Sequence, residues 1–227
     1  MTGSQKRQKK NSQQSNRFYY PIYLDLKGKK CIIVGGGRVA ERKCRCLIKN
    51  GADVTVISPT ITKRLEDYKS KGRIRHLPRL YRRGDIESAF LAIAATDSQE
   101  INERVYTEAT DKNILLNVVD NPDFCNFIVP SVFERGDLKI AISTSGSSPA
   151  IAKRIRKELE ALYNREFSKY LNFLKRIRGQ IKDKVKNREE REAIFNHLSS
   201  PEILRILREK GFRAVKERIM NNLSNLL

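Results

Sequence analysis

The stretch CIIVGGGRVAERK, residues 31–43, decides the fold. Four apolar, β-prone residues from Cys31 to Val34 run straight into Gly35-Gly36-Gly37. From Arg38 the pattern changes to helical spacing, with Val39, Lys43, Cys46 and Leu47 recurring every three or four positions. Gly35, Gly37 and Ala40 therefore fit G-x-G-x-x-A in the required context, after a strand and opening a helix. The first glycine permits a tight turn, the second lets a pyrophosphate approach the backbone, and the small third residue lets helix and strand pack closely. The helix N-terminus adds free N–H groups and the positive end of its dipole. The implied ligand is a dinucleotide, bound at Gly35, Gly37, Arg38 and Val39.

Working outward, strands are predicted at residues 54–57 (VTVI), 74–77, 90–95 (FLAIAA) and 115–119, with helices at 61–71 and 99–111 between them. Short apolar runs alternating with helices of this length read as βαβ units on a doubly wound parallel sheet, the α/β class. Cofactor contacts are then expected where strands end: Ser58, Pro59 and Thr60 after the second strand, Thr96 and Asp97 after the fourth, and Asn117 and Val118 at the fifth. No carboxylate stands at residues 57–60 to select an unphosphorylated ribose, so the residues themselves do not choose between NAD and NADP.

Beyond Val119 the pattern shifts. Residues 127–129 and 138–143 read as strands with a turn at Gly136-Asp137, a small and partly antiparallel unit. From Pro149, placed for a first helical turn after the cap candidates Ser147 and Ser148, the chain reads as helix. Ile151, Ile155, Leu159 and Leu162 form an apolar stripe, and further helices are predicted at 166–186, 188–197, 201–209 and 212–226, broken at Gly211.

The chain has 227 residues and is 39% hydrophobic, enough for a real core. Its 46 Lys and Arg against 26 Asp and Glu give a net charge of +20, which calls for a polyanionic partner. Residues 1–18 hold five basic side chains and no acid, and residues 151–227 hold 20 basic and 10 acidic. The first 17 residues, polar and rich in Ser and Gln, are expected to be a disordered tail. There is no apolar run of about 18 residues and no charged-then-apolar leader, so a cytoplasmic protein with no membrane partner is expected. No base-reading motif accompanies the charge, so nucleic acid is not expected as a partner. The four cysteines lack paired metal-site spacing and read as reduced, mostly packed thiols. No metal ligand set is assigned.

The stretch 32–43, together with AIAATD (92–97), NVVD (117–120), FCNFIVPS (124–131) and ISTSGSSPAIAKRIRKELE (142–160), resembles the precorrin-2 dehydrogenase and sirohydrochlorin ferrochelatase family of sirohaem synthesis. The likeness runs from about residue 20 to residue 163. It implies an NAD-binding Rossmann domain (18–119), a small α+β dimerisation unit (120–150) forming a homodimer, and an all-helical C-terminal domain (151–227). The implied reaction is NAD-dependent oxidation of precorrin-2 to sirohydrochlorin. Some members then insert Fe²⁺, so iron is a candidate second substrate. A chain of this length leaves no room for the methyltransferase domain of fused sirohaem synthases, and that step is expected of another protein.

The resemblance points to Asp120, the aspartate of NVVD, as the catalytic carboxylate, able to take up protons lost from the tetrapyrrole. The residues alone also allow Asp120 to be the start of the turn Asn121-Pro122-Asp123. Ser143, Thr144 and Ser145, in a hydroxyl-rich loop before a helix, suit substrate carboxylates, and equally suit a cap with a flexible lead. A different class of function, an NAD-sensing module without chemistry at Asp120, shares every cofactor residue.

Overall fold

The computed structural model describes residues 18–223, in two units divided between Val129 and Pro130. The first is built on five parallel strands: β1 (Lys30–Val34), β2 (Asp53–Ile57), β3 (Arg75–Leu77), β4 (Leu91–Ala94) and β5 (Leu115–Val118). Their order is β3-β2-β1-β4-β5, so the chain reverses direction across the sheet between β1 and β4. That is where open α/β sheets form a ligand crevice at the strands' carboxyl ends.

The central strands β1, β2 and β4 are largely apolar because helices cover both faces. Ile32, Val34, Ile57, Ala92 and Ala94 pack with Val105 and Ala109 of α3 (Gln99–Asp111). Cys31, Ile33, Val54, Val56 and Ile93 pack with Ala40, Cys44 and Leu47 of α1 (Arg38–Lys49) and Leu65 of α2 (Lys63–Ser70). None of the four cysteines is in a disulfide. Burial pushes the Cys31 thiol up to about 11, with Asp53 adding to the shift, and the Cys44 thiol up to about 12, with Glu41 adding to it. Both behave as packed, protonated side chains, as the sequence suggested.

The outer edge of β5 is partly closed by the Asn126 side chain. Asn126 accepts from the Leu116 N–H at 2.7 Å and donates to the Ile114 carbonyl at 2.8 Å, as a neighbouring strand would. Asn126→Ala is expected to lower the unfolding free energy by about 1–2 kcal/mol, the scale of a lost pair with partly exposed partners; chemical denaturation measures it.

The second unit starts with the hairpin β6 (Ser131–Arg135) and β7 (Leu138–Ile142), antiparallel and joined at Gly136-Asp137. Gly136 has φ +58°, suited to the first position of a two-residue hairpin turn. The turn is where it was expected; the first strand is not. Residues 127–129 are not a strand, since a two-residue turn requires its strand to run up to residue 135, and Pro130 separates the two stretches. The Phe127 carbonyl instead accepts from the Asn117 side chain at 3.3 Å. Residues 120–129 accordingly belong to the first unit, which moves the expected boundary after 119 to after 129.

Helices α4 (Pro149–Leu162), α5 (Arg165–Lys184), α6 (Arg188–Leu198) and α7 (Pro201–Leu223) follow. Ser148 caps α4 by accepting from the Ile151 N–H, with Pro149 in the first turn. Tyr170, Phe173, Ile177 and Ile181 of α5 meet Ile203, Leu207, Val215 and Ile219 of α7 in one core. Gly211, at φ +79°, breaks α7 as predicted, and Glu166 accepts from the Phe212 N–H at 3.0 Å, capping the segment that follows. The predicted apolar stripe of α4 is not core within this unit: Ile151, Ile155 and Leu162 are exposed, together with Val132 on β6. The expected basic tail at 1–17 and the helical prediction for 224–226 lie outside the described residues.

Candidate active site

The glycine turn is fixed by what surrounds each residue. Gly35 has φ +122°, and a Cβ there would lie 2.2 Å from the Ala95 carbonyl oxygen. Its N–H donates to Ile57 O at 2.9 Å, so the turn is tied to β2 on one side and crowds the end of β4 on the other. Gly36, an unassigned x of the motif, is the most confined: its Cβ would fall 1.9 Å from Thr60 O and 2.8 Å from Ser58 Oγ. Gly37 is the opposite case, with nothing within 4 Å of a Cβ. Its backbone serves as the N-cap of α1 with no side chain capping the helix, which leaves the first N–H groups for a ligand. Thr62 ties the turn after β2 to α1: it donates to Glu41 Oε2 at 2.7 Å while its Oγ accepts from Leu65 N at the start of α2.

These segments line one cleft of about 640 Å³, a volume suited to a cofactor. It brings together Gly35, Gly37, Arg38, Val39, Ser58, Pro59, Thr60, Thr96 and Asp97, nine of the eleven expected cofactor residues. Crowded glycines behind an open approach at Gly37, beside an uncapped helix, fit a dinucleotide pyrophosphate. Thr96 also shapes its own loop, donating towards Ser98 O and Asn102 Oδ1, both at 3.1 Å. Gly36, Leu80 and Tyr81 line the cleft without having been predicted. Tyr81 is 3% exposed, and its hydroxyl donates to buried Glu108 of α3, which also accepts from Gly84 N at 2.9 Å. Burial, then the Glu108 bond, raises the Tyr81 phenol well above the ordinary range. The topology, which sets the end of β3 beside β2, is the signal that would have pointed to this loop.

Asn117 and Val118 do not line that cleft. The Val118 side chain is 2% exposed in the core. Asn117, 9% exposed, is committed to neighbours: its Oδ1 accepts from Lys43 Nζ at 3.1 Å, and its Nδ2 donates to Phe127 O at 3.3 Å and approaches Cys125 Sγ at 3.5 Å. The Cys125 sulfur accepts from Val118 N and donates towards the Val118 and Asn121 carbonyls, holding the chain after β5 in a tight return. Asp120 is exposed on that return, at φ +59°. Asp tolerates this left-handed conformation better than most residues, so the backbone favours an aspartate there whatever its chemistry. Lys43, half-buried on α1, shares this corner. Burial pulls its ammonium below the usual lysine range and Arg42 adds to the shift; Cys46, Cys125 and Asp120 oppose it.

Ser143, Thr144 and Ser145 belong to the second unit. Ser143 Oγ accepts from Ser145 N and Thr144 Oγ accepts from Ser148 N, each at 3.0 Å, while Ser145 has φ +51°. Two hydroxyls therefore organise the loop ahead of α4, and each retains its own O–H to donate.

The chain matches two family models, "Putative NAD(P)-binding" over residues 22–131 and "Sirohaem biosynthesis protein central" over 135–162. It is 40% identical over 167 residues to a siroheme synthase of Nitrosococcus oceani, covering 74% of this chain and 36% of that protein. Against a siroheme synthase of Nitrosomonas eutropha it is 33% identical over 211 residues, 91% of this chain and 44% of that one. The chain thus spans less than half the length of these curated relatives. Among solved structures it resembles SirC, a precorrin-2 dehydrogenase, with a TM-score of 0.76 and 28% identity, covering 89% of this chain and 100% of that one. The matched NAD(P)-binding model and the dehydrogenase neighbour support a nicotinamide cofactor. Fold, motifs and relatives agree: the chain belongs to the sirohaem-biosynthesis family, as a counterpart of the N-terminal half of siroheme synthase.

Proposed function

We propose that this chain oxidises precorrin-2 to sirohydrochlorin with NAD⁺. The observation that carries the reading is the adjacency of the cofactor cleft and the NVVD return. The Val119 N–H donates to Ala94 O at 2.9 Å, so Asp120 follows directly on a residue bonded to the strand whose end, Thr96 and Asp97, lines the cleft. A nicotinamide held there would supply the hydride acceptor for oxidation of the reduced macrocycle. The glycine turn and the N-terminus of α1 hold the pyrophosphate, the segments after β2 and β4 flank the nucleotide, and Asp120 receives the proton that leaves with the hydride. The reaction balances as precorrin-2 and NAD⁺ giving sirohydrochlorin, NADH and a proton. Ser143, Thr144 and Ser145 donate to substrate carboxylates. Iron insertion, in which pyrrole protons must also leave, is a second use of the same carboxylate.

NAD rather than NADP is part of the proposal. Pro59 and Thr60 after β2 are exposed and present neither a carboxylate nor a guanidinium to the ribose, so the choice rests on the family resemblance. Steady-state rates on precorrin-2 with each cofactor test both points: kcat/KM is expected to be higher with NAD⁺, and no sirohydrochlorin with either would reject the function.

The active form is proposed to be a homodimer joined through the second unit. Ile151, Ile155 and Leu162 of α4 and Val132 of β6 are large apolar side chains left exposed there, and a two-stranded hairpin has little core of its own. Sedimentation is expected to give a dimer at micromolar concentration, and Ile151→Glu with Ile155→Glu to give monomers.

A further inference from the structure

Lys43 lies in the segment that reads as cofactor-binding, yet it faces away from the nucleotide cleft towards the end of β5, where its Nζ donates to Asn117 Oδ1 at 3.1 Å. Half-buried, it makes no ion pair with any described residue, so a neutral amide is its sole hydrogen-bond partner among them. An ammonium withdrawn from water without a carboxylate in direct contact is costly. The chain keeps one here, beside the carboxylate proposed to act on the tetrapyrrole. The charged and titratable groups that face it are Arg42 and Cys46 on its own helix, and Cys125 and Asp120 from the return after β5.

We propose that Lys43 anchors a carboxylate of the tetrapyrrole at the carboxyl end of β5, with Asn117 holding the ammonium in place. This inference rests on the proposed function. It adds a substrate-binding cation on α1, and it gives the half-buried ammonium an anion within hydrogen-bond reach, which no described residue supplies. A charge-assisted hydrogen bond of this kind is stronger than a neutral one. It exists only while Lys43 is protonated, and because burial lowers that limit, binding is expected to weaken on the alkaline side earlier than an ordinary lysine would cause.

The test is equilibrium binding of sirohydrochlorin, followed by its absorbance across a pH series, to the wild-type chain, Lys43→Met and Lys43→Arg, with NAD⁺ binding measured alongside. The expected result is about a tenfold loss of sirohydrochlorin affinity in Lys43→Met at neutral pH. Lys43→Arg, which stays charged, is expected to hold affinity within about threefold and to lose the alkaline weakening. NAD⁺ affinity is expected to be the same in all three, which separates a tetrapyrrole anchor from a pyrophosphate contact. Equal sirohydrochlorin affinity in wild type and Lys43→Met, or an alkaline limb that survives in Lys43→Arg, overturns the anchor while leaving the proposed function standing. Failure of the wild-type chain to bind sirohydrochlorin overturns both.

Discussion

Gly36→Ala is expected to destabilise the first unit by about 3 kcal/mol and to abolish cofactor binding, whereas Gly37→Ala changes stability by less than about 0.5 kcal/mol. The two positions are adjacent and chemically identical, so composition and propensity predict equal effects. What separates them is the space each faces. A methyl at residue 36 falls 1.9 Å from the Thr60 carbonyl oxygen and 3.0 Å from Ile61, and the oxygen is backbone that has no rotamer to turn away. The turn after β2 would have to shift, taking with it Ser58 and Thr60 on the cleft wall and the Thr62 N–H bond to Gly36 O at 3.1 Å. At residue 37 the backbone is extended, φ −79° and ψ −172°, and a methyl meets nothing within 4 Å. A larger anionic group there leaves the fold alone and occupies the approach to the helix N-terminus. Gly37→Asp is therefore expected to unfold like wild type and to bind the dinucleotide at least a hundredfold more weakly, through like-charge repulsion at the pyrophosphate. Thermal unfolding beside NAD⁺ titration distinguishes the two glycines. A Gly36→Ala protein with normal stability would show that the β2 turn yields more readily than its backbone contacts indicate.

Asp120→Asn is expected to lower the rate of precorrin-2 oxidation by about a hundredfold or more, the usual scale for a positioned proton acceptor. Stability and cofactor affinity are expected to stay within about twofold of wild type. Asn is the informative substitution because of the backbone. At φ +59° most side chains add strain of their own, but Asn and Asp both tolerate the left-handed region. A turn role and a proton-accepting role therefore give opposite results. The turn is kept in Asn and lost in Ala, while proton uptake is lost in both. Asp120→Ala should add about 1 kcal/mol of destabilisation to the same loss of rate. If Asp120→Asn oxidises precorrin-2 at the wild-type rate, Asp120 is a turn residue and hydride transfer depends on positioning alone.

The parts of this fold legible in the sequence are those whose pattern is local. Strands β1, β2 and β4 are buried on both faces and so are written as apolar runs, and α3 has the bounds the sequence predicts, 99–111, with Ser98 capping its start. Strand β6 was misplaced because SVFER carries one deeply buried residue, Phe133, and a terminal ion-forming pair, which is a weaker signal than the apolar FIV before it. That FIV segment stays irregular because what holds it includes the Asn117 amide, ten residues away. The site divides similarly. The glycine turn and the ends of β2 and β4 follow from strand–turn–helix order, and nine of the expected residues line the cleft. Asn117 and Val118 were placed by the same rule, but β5 lies beyond β4, one strand from the crevice, and their side chains are taken up by Lys43, Cys125 and the core. Gly36, Tyr81 and Lys43 gain their meaning from contacts with Thr60, Glu108 and Asn117, at separations of 24, 27 and 74 residues. No local pattern encodes those.

The central claim, that this chain is an enzyme and not a nucleotide-sensing module on the same fold, is tested most directly by mixing it anaerobically with NAD⁺ and a large excess of precorrin-2 while recording NADH and sirohydrochlorin together. Both are expected to rise at the same rate, in equal amounts, through many turnovers per chain. Tight binding of NAD⁺ with neither product formed above the uncatalysed rate would contradict it.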